Sequence, residues 1–349
     1  MKKIISLAAF LWLLTSCKTD PADSLTSLFP KTETPTPASL CIGPDAIQEP
    51  VLLLSADSVL ICTNHRTPKA IRVYNLNDGR WNDLVSLGRA GNELLNVASI
   101  WLSGNALHVY DANSGKILRI PSDELFLPNP SITAVPFQRG YFGLAACARA
   151  DRYAGMAVLG GEPSDAPFSL LGGDGGKISG FGAYRDSDSG TGRNELQLAY
   201  QGVLNMNGDG TRIAYASFFG SVFQFFDSSD PRNIRLTREY RFAEPSYLPV
   251  SDPGQQSYFV RWEKDCRKGA LATAFDKDGF FVLCEEGKLV SDKDWRMSTV
   301  YFFDWDGNPR KKLDLGRRVQ AIACNETRSQ LIALAVDEQE QYTFVAYDL

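Results

Sequence analysis

A short unit recurs along the chain: a strand-like run closing on an aromatic or aliphatic residue, then a turn of Asp, Asn, Ser or Gly. It occurs as Val73-Tyr74-Asn75 before Asn77-Asp78-Gly79, as Val109-Tyr110-Asp111 before Asn113-Ser114-Gly115, and as Ser169-Leu170-Leu171 before Asp174-Gly175. It returns as Phe225-Phe226-Asp227 before Ser229-Asp230, as Phe302-Phe303-Asp304 before Asp306-Gly307, and as Ala346-Tyr347-Asp348 at the end. Asn75 and Asp348 bracket five intervals of about 55 residues, enough for four strands and their loops. The spacing predicts an all-β fold, a six-bladed β-propeller. The turn residues have a local reason, because Asp, Asn and Gly tolerate the positive φ of tight antiparallel connections.

The rest of the chain agrees with this reading. Period-two alternation runs through 106–111, 212–216, 280–284 and 343–347, and helical periodicity is nearly absent. At 44% hydrophobic and 22% charged, the 349 residues are those of a folded protein. The last unit stops at Leu349 without a following turn. Its sheet is therefore expected to take a strand from the start of the body, 40–43 or 51–54, closing the propeller between N- and C-terminal strands and removing its free edges. The propeller domain is placed at 40–349. Two stacked β-sandwiches are the alternative, against which stands the lack of any linker after Ser39.

Residues 1–16 read as an export signal: Lys2 and Lys3, an apolar stretch from Ile4 to Leu14, then small residues. That stretch falls short of the roughly 20 apolar residues of a membrane span. Leu14-Thr15-Ser16-Cys17 resembles the bacterial lipobox, which implies lipid attachment at Cys17 and a membrane anchor made of acyl chains. Residues 17–39, rich in Thr, Pro, Ser and Asp, read as a lipidated flexible tether. Lys18 is not the aspartate that signals inner-membrane retention in bacterial lipoproteins, so the expected address is the outer membrane. Asp23-Ser24-Leu25 is similar to the O-glycosylation site of exported Bacteroidetes proteins, with Ser24 as acceptor, and reads equally as unmodified linker.

Composition removes several chemistries. A net charge of −5 without a long basic run argues against nucleic acid as partner. Two histidines, His65 and His108, leave little for imidazole catalysis or metal binding. The serine-hydrolase elbow, the phosphate loop and the zinc-protease helix motif are all absent. Calcium-like starts at Asn205, Asp276 and Asp304 lack the late carboxylate and read as hairpin turns. Cys62, Cys147, Cys284 and Cys324 lie in apolar runs of different units and are expected as unpaired thiols, with Cys41 and Cys266 left open. No metal, cofactor or catalytic residue is assigned. Glu93, Glu195, Glu263, Asp265, Glu285 and Glu286 could place an acid pair at the propeller mouth or be solvated loop charges. Arg317 and Arg318 are read as part of a solvated face.

The stretches 301–309, 313–315, 319–322 and 347–349 resemble the last blades of the TolB-like six-bladed β-propeller lipoproteins of Bacteroidetes. Residues 202–204 with 208–211, and 271–274 with 280–283 and Gly287, are similar to that family's middle blades. Residues 87–93 resemble its glycine-rich turn before a glutamate but lack the proline often found there. The resemblance implies a propeller on a lipid anchor and brings no catalytic residues with it.

One insertion breaks the rhythm. Residues 244–265 carry Tyr247, Tyr258, Phe259, Arg261 and Trp262 between Pro245, Pro249 and Pro253. Aromatics with an arginine suit a recognition surface; the same rings could instead plug the channel or cover a sheet face. The expectation is a monomeric, membrane-anchored binding or scaffolding module for a glycan, peptide or envelope protein. The alternative is a hydrolase or lyase using carboxylates at the mouth.

Overall fold

The computed structural model describes residues 24–43, 46–47, 50–64, 67–147, 151–157, 166–185, 191–250 and 258–349. Residues 1–23, on which the expected export signal and the lipid-attachment candidate Cys17 fall, and His65 lie outside the described residues. The chain forms an all-β propeller. Two short strands come first, β1 (Thr32–Glu33) and β2 (Pro37–Ser39). The first four-stranded sheet is β3 (Pro50–Ala56), β4 (Val59–Asn64), β5 (Lys69–Asn75) and β6 (Trp81–Ser86). The second is β7 (Val97–Ser103), β8 (Ala106–Asp111), β9 (Lys116–Pro121) and β10 (Thr133–Pro136). The third is β11 (Tyr141–Cys147), β12 (Arg152–Ala157), β13 (Phe168–Gly172) and β14 (Lys177–Phe181). The fourth is β15 (Gly202–Met206), β16 (Arg212–Ser217), β17 (Ser221–Asp227) and β18 (Arg235–Ala243). A separate hairpin, β19 (Tyr247–Pro249) and β20 (Val260–Trp262), follows.

The remaining strands are β21 (Ala272–Phe275), β22 (Gly279–Leu283), β23 (Met297–Asp304), β24 (Pro309–Asn325), β25 (Gln330–Val336) and β26 (Tyr342–Asp348). They form one eight-stranded sheet in the order β2-β26-β25-β24-β23-β22-β21, with β1 added on β24. Strand β24 is 17 residues long; its first part, 309–314, pairs with β23 and its last part, 319–325, with β25. First strands of successive sheets neighbour one another, β3 with β7, β7 with β11, β11 with β15 and β15 with β21. Strand β24 touches both β21 and β3, which returns the series to its start.

Core formation follows from strands that are apolar on both faces. In β17, Phe223 and Phe225 pack over the small Ala214 and Ala216 of β16 and meet Phe280, Tyr301 and Phe303 of the next sheet. Similar clusters join the first sheet to the second through Ile61, Val73, Leu107 and Val109, and the first to β25 and β26 through Leu60, Tyr74, Ile332 and Phe344. Burying one such phenylalanine contributes about 1.5–3 kcal/mol. Gly307 turns β23 into β24 at φ 78°, and a Cβ there would stand 2.6 Å from the Phe225 ring. The turn thus needs glycine for its backbone and for its neighbour.

Two expectations are corrected. Closure on β26 is made by Pro37–Ser39, paired Pro37 to Tyr347 and Ser39 to Val345, just before the expected 40–43, of which only the Leu40 N–H reaches β26, at 3.3 Å from the Phe344 carbonyl oxygen. An edge strand is held by its ladder, so these three exposed residues carry no hydrophobic signal. Residues 51–54 lie instead in β3. Second, 24–39 is not flexible tether but a belt on the rim. Leu25 is fully buried and Phe29 nearly so, and the Leu25 and Thr26 N–H groups donate to the Glu286 carboxylate at 3.1 Å. Phe29 packs 5.2 Å from the Tyr301 ring and 5.3 Å from Phe303. The unit at Val109–Asp111 closes the second strand of its four-stranded sheet, whereas the units at Val73–Asn75, Ser169–Leu171 and Phe225–Asp227 close third strands. Asp111 is fully buried and accepts from the Leu95, Asn96, Asn113 and Ser114 N–H groups, a turn chemistry that any strand end can use.

The six described cysteines form no disulfide; five are buried and Cys41 is exposed. Burial pushes the Cys284 and Cys324 thiols up to about 12.

Candidate functional site

In an antiparallel sheet of four strands, the connections after the second and fourth strands leave at one end, and those after the first and third at the other. The long connections of this propeller gather at the first of these ends. They are 182–201, which carries helix α1 (Arg193–Ala199), then 244–271 with the β19–β20 hairpin, and 284–296. Backbone hydrogen bonds of 2.8 Å stitch them together: Gly220 N–H to Arg267 O, Gly269 N–H to Phe218 O, Lys268 N–H to Lys288 O and Val290 N–H to Cys266 O. Gly220 makes its turn at φ 74°, where a Cβ would come within 2.6 Å of the Ala243 carbonyl oxygen. That tight turn lifts Phe218 and Phe219 to the same end.

The hairpin register sorts the aromatic insertion into two faces. Tyr247 pairs with Trp262, Leu248 with Arg261, and Pro249 with Val260. Paired residues share a face, and alternate residues along a strand change face. Tyr247 and Trp262 turn inward, against Leu196, Ala199 and Tyr200 of α1 and its end. The Trp262 ring stacks on Phe219 with centroids 3.7 Å apart. Leu248, Phe259 and Arg261 fall on the other face, all exposed, with Phe259 at 60%. Tyr258, half-buried, precedes Phe259 and alternates with it. Thus the five sequence candidates do not form one surface: Trp262 and Tyr247 brace the hairpin, and Phe259 and Arg261 face solvent.

Charges lock this arrangement. Arg241 pairs with Glu239 at 2.8 Å and Glu244 at 3.1 Å, and Glu244 also takes the Tyr200 hydroxyl at 3.0 Å and Arg185 at 3.2 Å. Lys268, 2% exposed, donates from Nζ to the Asp292 and Asp294 carbonyls at 2.6 and 2.7 Å and lies 4.3 Å from the Trp295 ring centre. Burial first, then Lys288, lowers its pKa. Arg317 and Arg318 are both exposed, as expected of a solvated face, and from there Arg318 reaches the Asp294 carboxylate at 2.8 Å, beside Arg296 at 3.0 Å. Burial works against the Asp294 anion, but the Arg296 N–H and the cations of Lys288, Arg296 and Arg318 outweigh it and hold its pKa low. Phe219, Trp295 and Lys268 were missed from the sequence; Phe218-Phe219-Gly220 was the available signal, an aromatic pair on a glycine turn.

The carboxylates considered for acid/base work are engaged in the scaffold. Glu93 accepts the Ala90 N–H, Glu286 holds the belt, and Glu285 meets Lys288 at 3.4 Å. Glu195 is buried in the first turn of α1. Glu263 and Asp265 share the Ser246 hydroxyl, at 2.6 and 3.1 Å, in an exposed position rather than the enclosed one a general acid needs. The calcium-like starts are self-capping turns: Asp209 accepts from Thr211, Asp276 from Asp278 and Gly279, and Asp304 from Asp306 and Asn308. Ser24 accepts the Ser27 N–H at 3.2 Å, heading the first turn of the belt.

No protein-family model and no curated protein matches the chain. Solved structures do. An exported-protein candidate of Bacteroides fragilis is 12% identical at a TM-score of 0.51, covering 90% of this chain and 94% of its own. The Cps50 β-propeller domain of Myceliophteria thermophila is 8% identical at a TM-score of 0.45, covering 90% of this chain and all of its own. A chain of the mitotic checkpoint complex is 13% identical at 0.45, covering 90% and 95%. At these identities the likeness is one of fold. No helix among the described residues is long and apolar enough to cross a membrane.

Proposed function

We propose that this is an exported, lipid-anchored propeller that binds a protein or peptide partner of the cell envelope through the outward face of its β19–β20 hairpin. The observation that carries this is the two-sided hairpin. Its inward rings fix it to α1 and Phe219, and its outward face presents Phe259, Leu248 and Arg261 to solvent. Sugar recognition favours flat, open Trp or Tyr faces; here Trp262 and Tyr247 are turned inward, which favours a protein partner over a glycan. An aromatic and an arginine beside aliphatic surface are typical hot-spot composition.

The anchor reading rests on the lipobox at Cys17, and the outer membrane on Lys18. Residue Ser24 begins the belt close to Glu286, in the connection 284–296, so the belt starts at the same end as the hairpin. Six residues, 18–23, separate it from Cys17, and the seven chain steps between Cys17 and Ser24 span at most about 25 Å. A partner at the membrane surface would therefore lie within reach of the hairpin. Ser24 would carry any O-glycan at that rim. The blade count of six, and with it kinship to the TolB-like lipoproteins, rests on counting the eight-stranded sheet as two blades that share β24. The return of β24 to β3 supports that count.

Cell fractionation tests the anchor: Cys17→Ala is expected to release the protein from membranes or leave it unprocessed, and normal attachment would refute the reading. Binding is tested with the double variant Phe259→Ala/Arg261→Ala, which should weaken partner capture about thirtyfold or more with folding intact. Unchanged capture refutes it.

A further inference from the structure

At the opposite end of the ring, a cleft of about 390 Å³ opens between the second and third sheets, lined by Trp101, Ser103, His108, Arg119, Cys147, Asp151 and Tyr153. Its volume falls in the usual range for small-molecule sites, about 300–1,000 Å³. Two cross-strand pairs supply its first wall: Trp101 faces His108, and His108 faces Arg119. The imidazole stacks on the indole with centroids 5.3 Å apart and 17° between planes, and its Nε2 lies 3.4 Å from the Ser103 carbonyl oxygen. The third sheet supplies the facing wall, where the Tyr153 ring packs edge-on against Trp101 at 5.6 Å. Cys147 contributes a buried thiol that points to the Gly208 carbonyl.

Three polar groups of this cleft, on Tyr153, Arg119 and Asp151, are not tied up in side-chain hydrogen bonds or ion pairs among the described residues. Tyr153 is 4% exposed, yet its hydroxyl makes no hydrogen bond among the described residues and is not sealed from solvent. Buried tyrosines ordinarily spend that hydroxyl on a partner. The Arg119 guanidinium and the Asp151 carboxylate each make no ion pair among the described residues. Both charges act on the His108 ring and on the Tyr153 hydroxyl, so they border the same space, yet they form no ion pair with each other among the described residues. Asp151 is also held at φ 45°, a left-handed backbone that a non-glycine residue adopts at a cost.

We propose that this cleft is a binding site for a small zwitterion of the free amino acid class. The ligand carboxylate lies on Arg119 and the Tyr153 hydroxyl, its ammonium lies on Asp151, and its side chain lies along the Trp101 and His108 rings. A simple anion would meet Asp151 and a simple cation would meet Arg119, whereas a zwitterion satisfies both. Planar guanidinium and carboxylate groups match in the two-pronged way that makes such pairs strong. The site is independent of the hairpin and of the anchor.

Isothermal titration of the purified full-length protein tests this with the twenty standard amino acids, and with acetate and ethylammonium as half-ligands. At least one amino acid is expected to bind, and both half-ligands about tenfold more weakly or worse. Arg119→Gln should weaken that amino acid about tenfold or more, Asp151→Asn should bring it to the level of acetate, and Tyr153→Phe should weaken it several-fold. Asparagine tolerates the left-handed backbone at 151, so that variant keeps its fold; circular dichroism of all three verifies it. Absence of binding by every amino acid, equal binding of acetate by the unsubstituted protein, or indifference to Arg119→Gln would each overturn the proposal.

Discussion

The Trp262 indole lies on the Phe219 ring with 25° between their planes, and this one contact joins the hairpin of the 244–271 connection to the turn after β16. Because Tyr247 shares that face and Phe259 does not, the contact decides which aromatic residues are structural. Trp262→Ala should lower stability by about 1–3 kcal/mol through lost burial and stacking. Phe259→Ala and Arg261→Ala, on exposed positions, should each stay within about 0.5 kcal/mol of the parent. Thermal unfolding followed by circular dichroism separates the two classes.

The belt gives a second expectation. Leu25 and Phe29 are buried among aromatics of two sheets, so Leu25→Ala and Phe29→Ala should each cost about 2–5 kcal/mol. Glu286→Gln keeps the shape but weakens the two N–H contacts at Leu25 and Thr26. It should speed proteolytic cleavage before Phe29 while the ring stays resistant. Equal cleavage rates in parent and variant would show that the belt owes nothing to Glu286.

Strand positions were legible in the sequence because alternation and buried runs such as Phe280–Leu283 carry a two-residue period. Phase was not, since the aspartate turn at Asp111 uses local N–H groups and looks the same after a second strand as after a third. The closing strand Pro37–Ser39 was hidden because its contribution is backbone pairing. Two buried residues, Leu25 and Phe29, are too few to lift 24–39 out of a polar composition. At the hairpin the residue types were read correctly, but which ring faces inward depends on register, and register is fixed by backbone pairing that composition does not report. In the cleft, the pairing of His108 with Arg119 follows from the Asp111 turn, while Tyr153 and Asp151 arrive from another sheet.

Two titrations should be visible in stability. Burial disfavours the Asp111 anion, but donors from Leu95, Ser114 and Asn113 outweigh it and hold the pKa below 3.8. A folded pKa lowered in this way stabilises the native state above about pH 4, and that stabilisation fades as pH falls toward the folded value. Burial and then Arg119 lower the His108 pKa below 6.5, so the fold carries this ring neutral. Its contribution is complete above about pH 6.5 and declines as pH falls toward its folded value. Denaturant titrations from pH 3 to 8 should show both slopes; His108→Gln should remove the upper one and Asp111→Asn the lower.

With no disulfide among the six described cysteines, a reducing agent should leave the melting temperature within about 1 °C, where loss of a native disulfide typically costs about 2–5 kcal/mol. A marked drop on reduction would show that a disulfide supports the fold.

Site-specific photo-crosslinking in living cells tests the recognition claim most directly. A photoreactive phenylalanine analogue is placed at Phe259 or Leu248 on the outward hairpin face, and at Asn105 in the β7–β8 turn at the opposite end. The account expects one discrete adduct, of the same mass increment, from both hairpin positions and none from Asn105. The same adduct should disappear when Arg261→Ala is combined with the probe at Leu248. No adduct from either hairpin position, or adducts from Asn105 of equal strength, would contradict it.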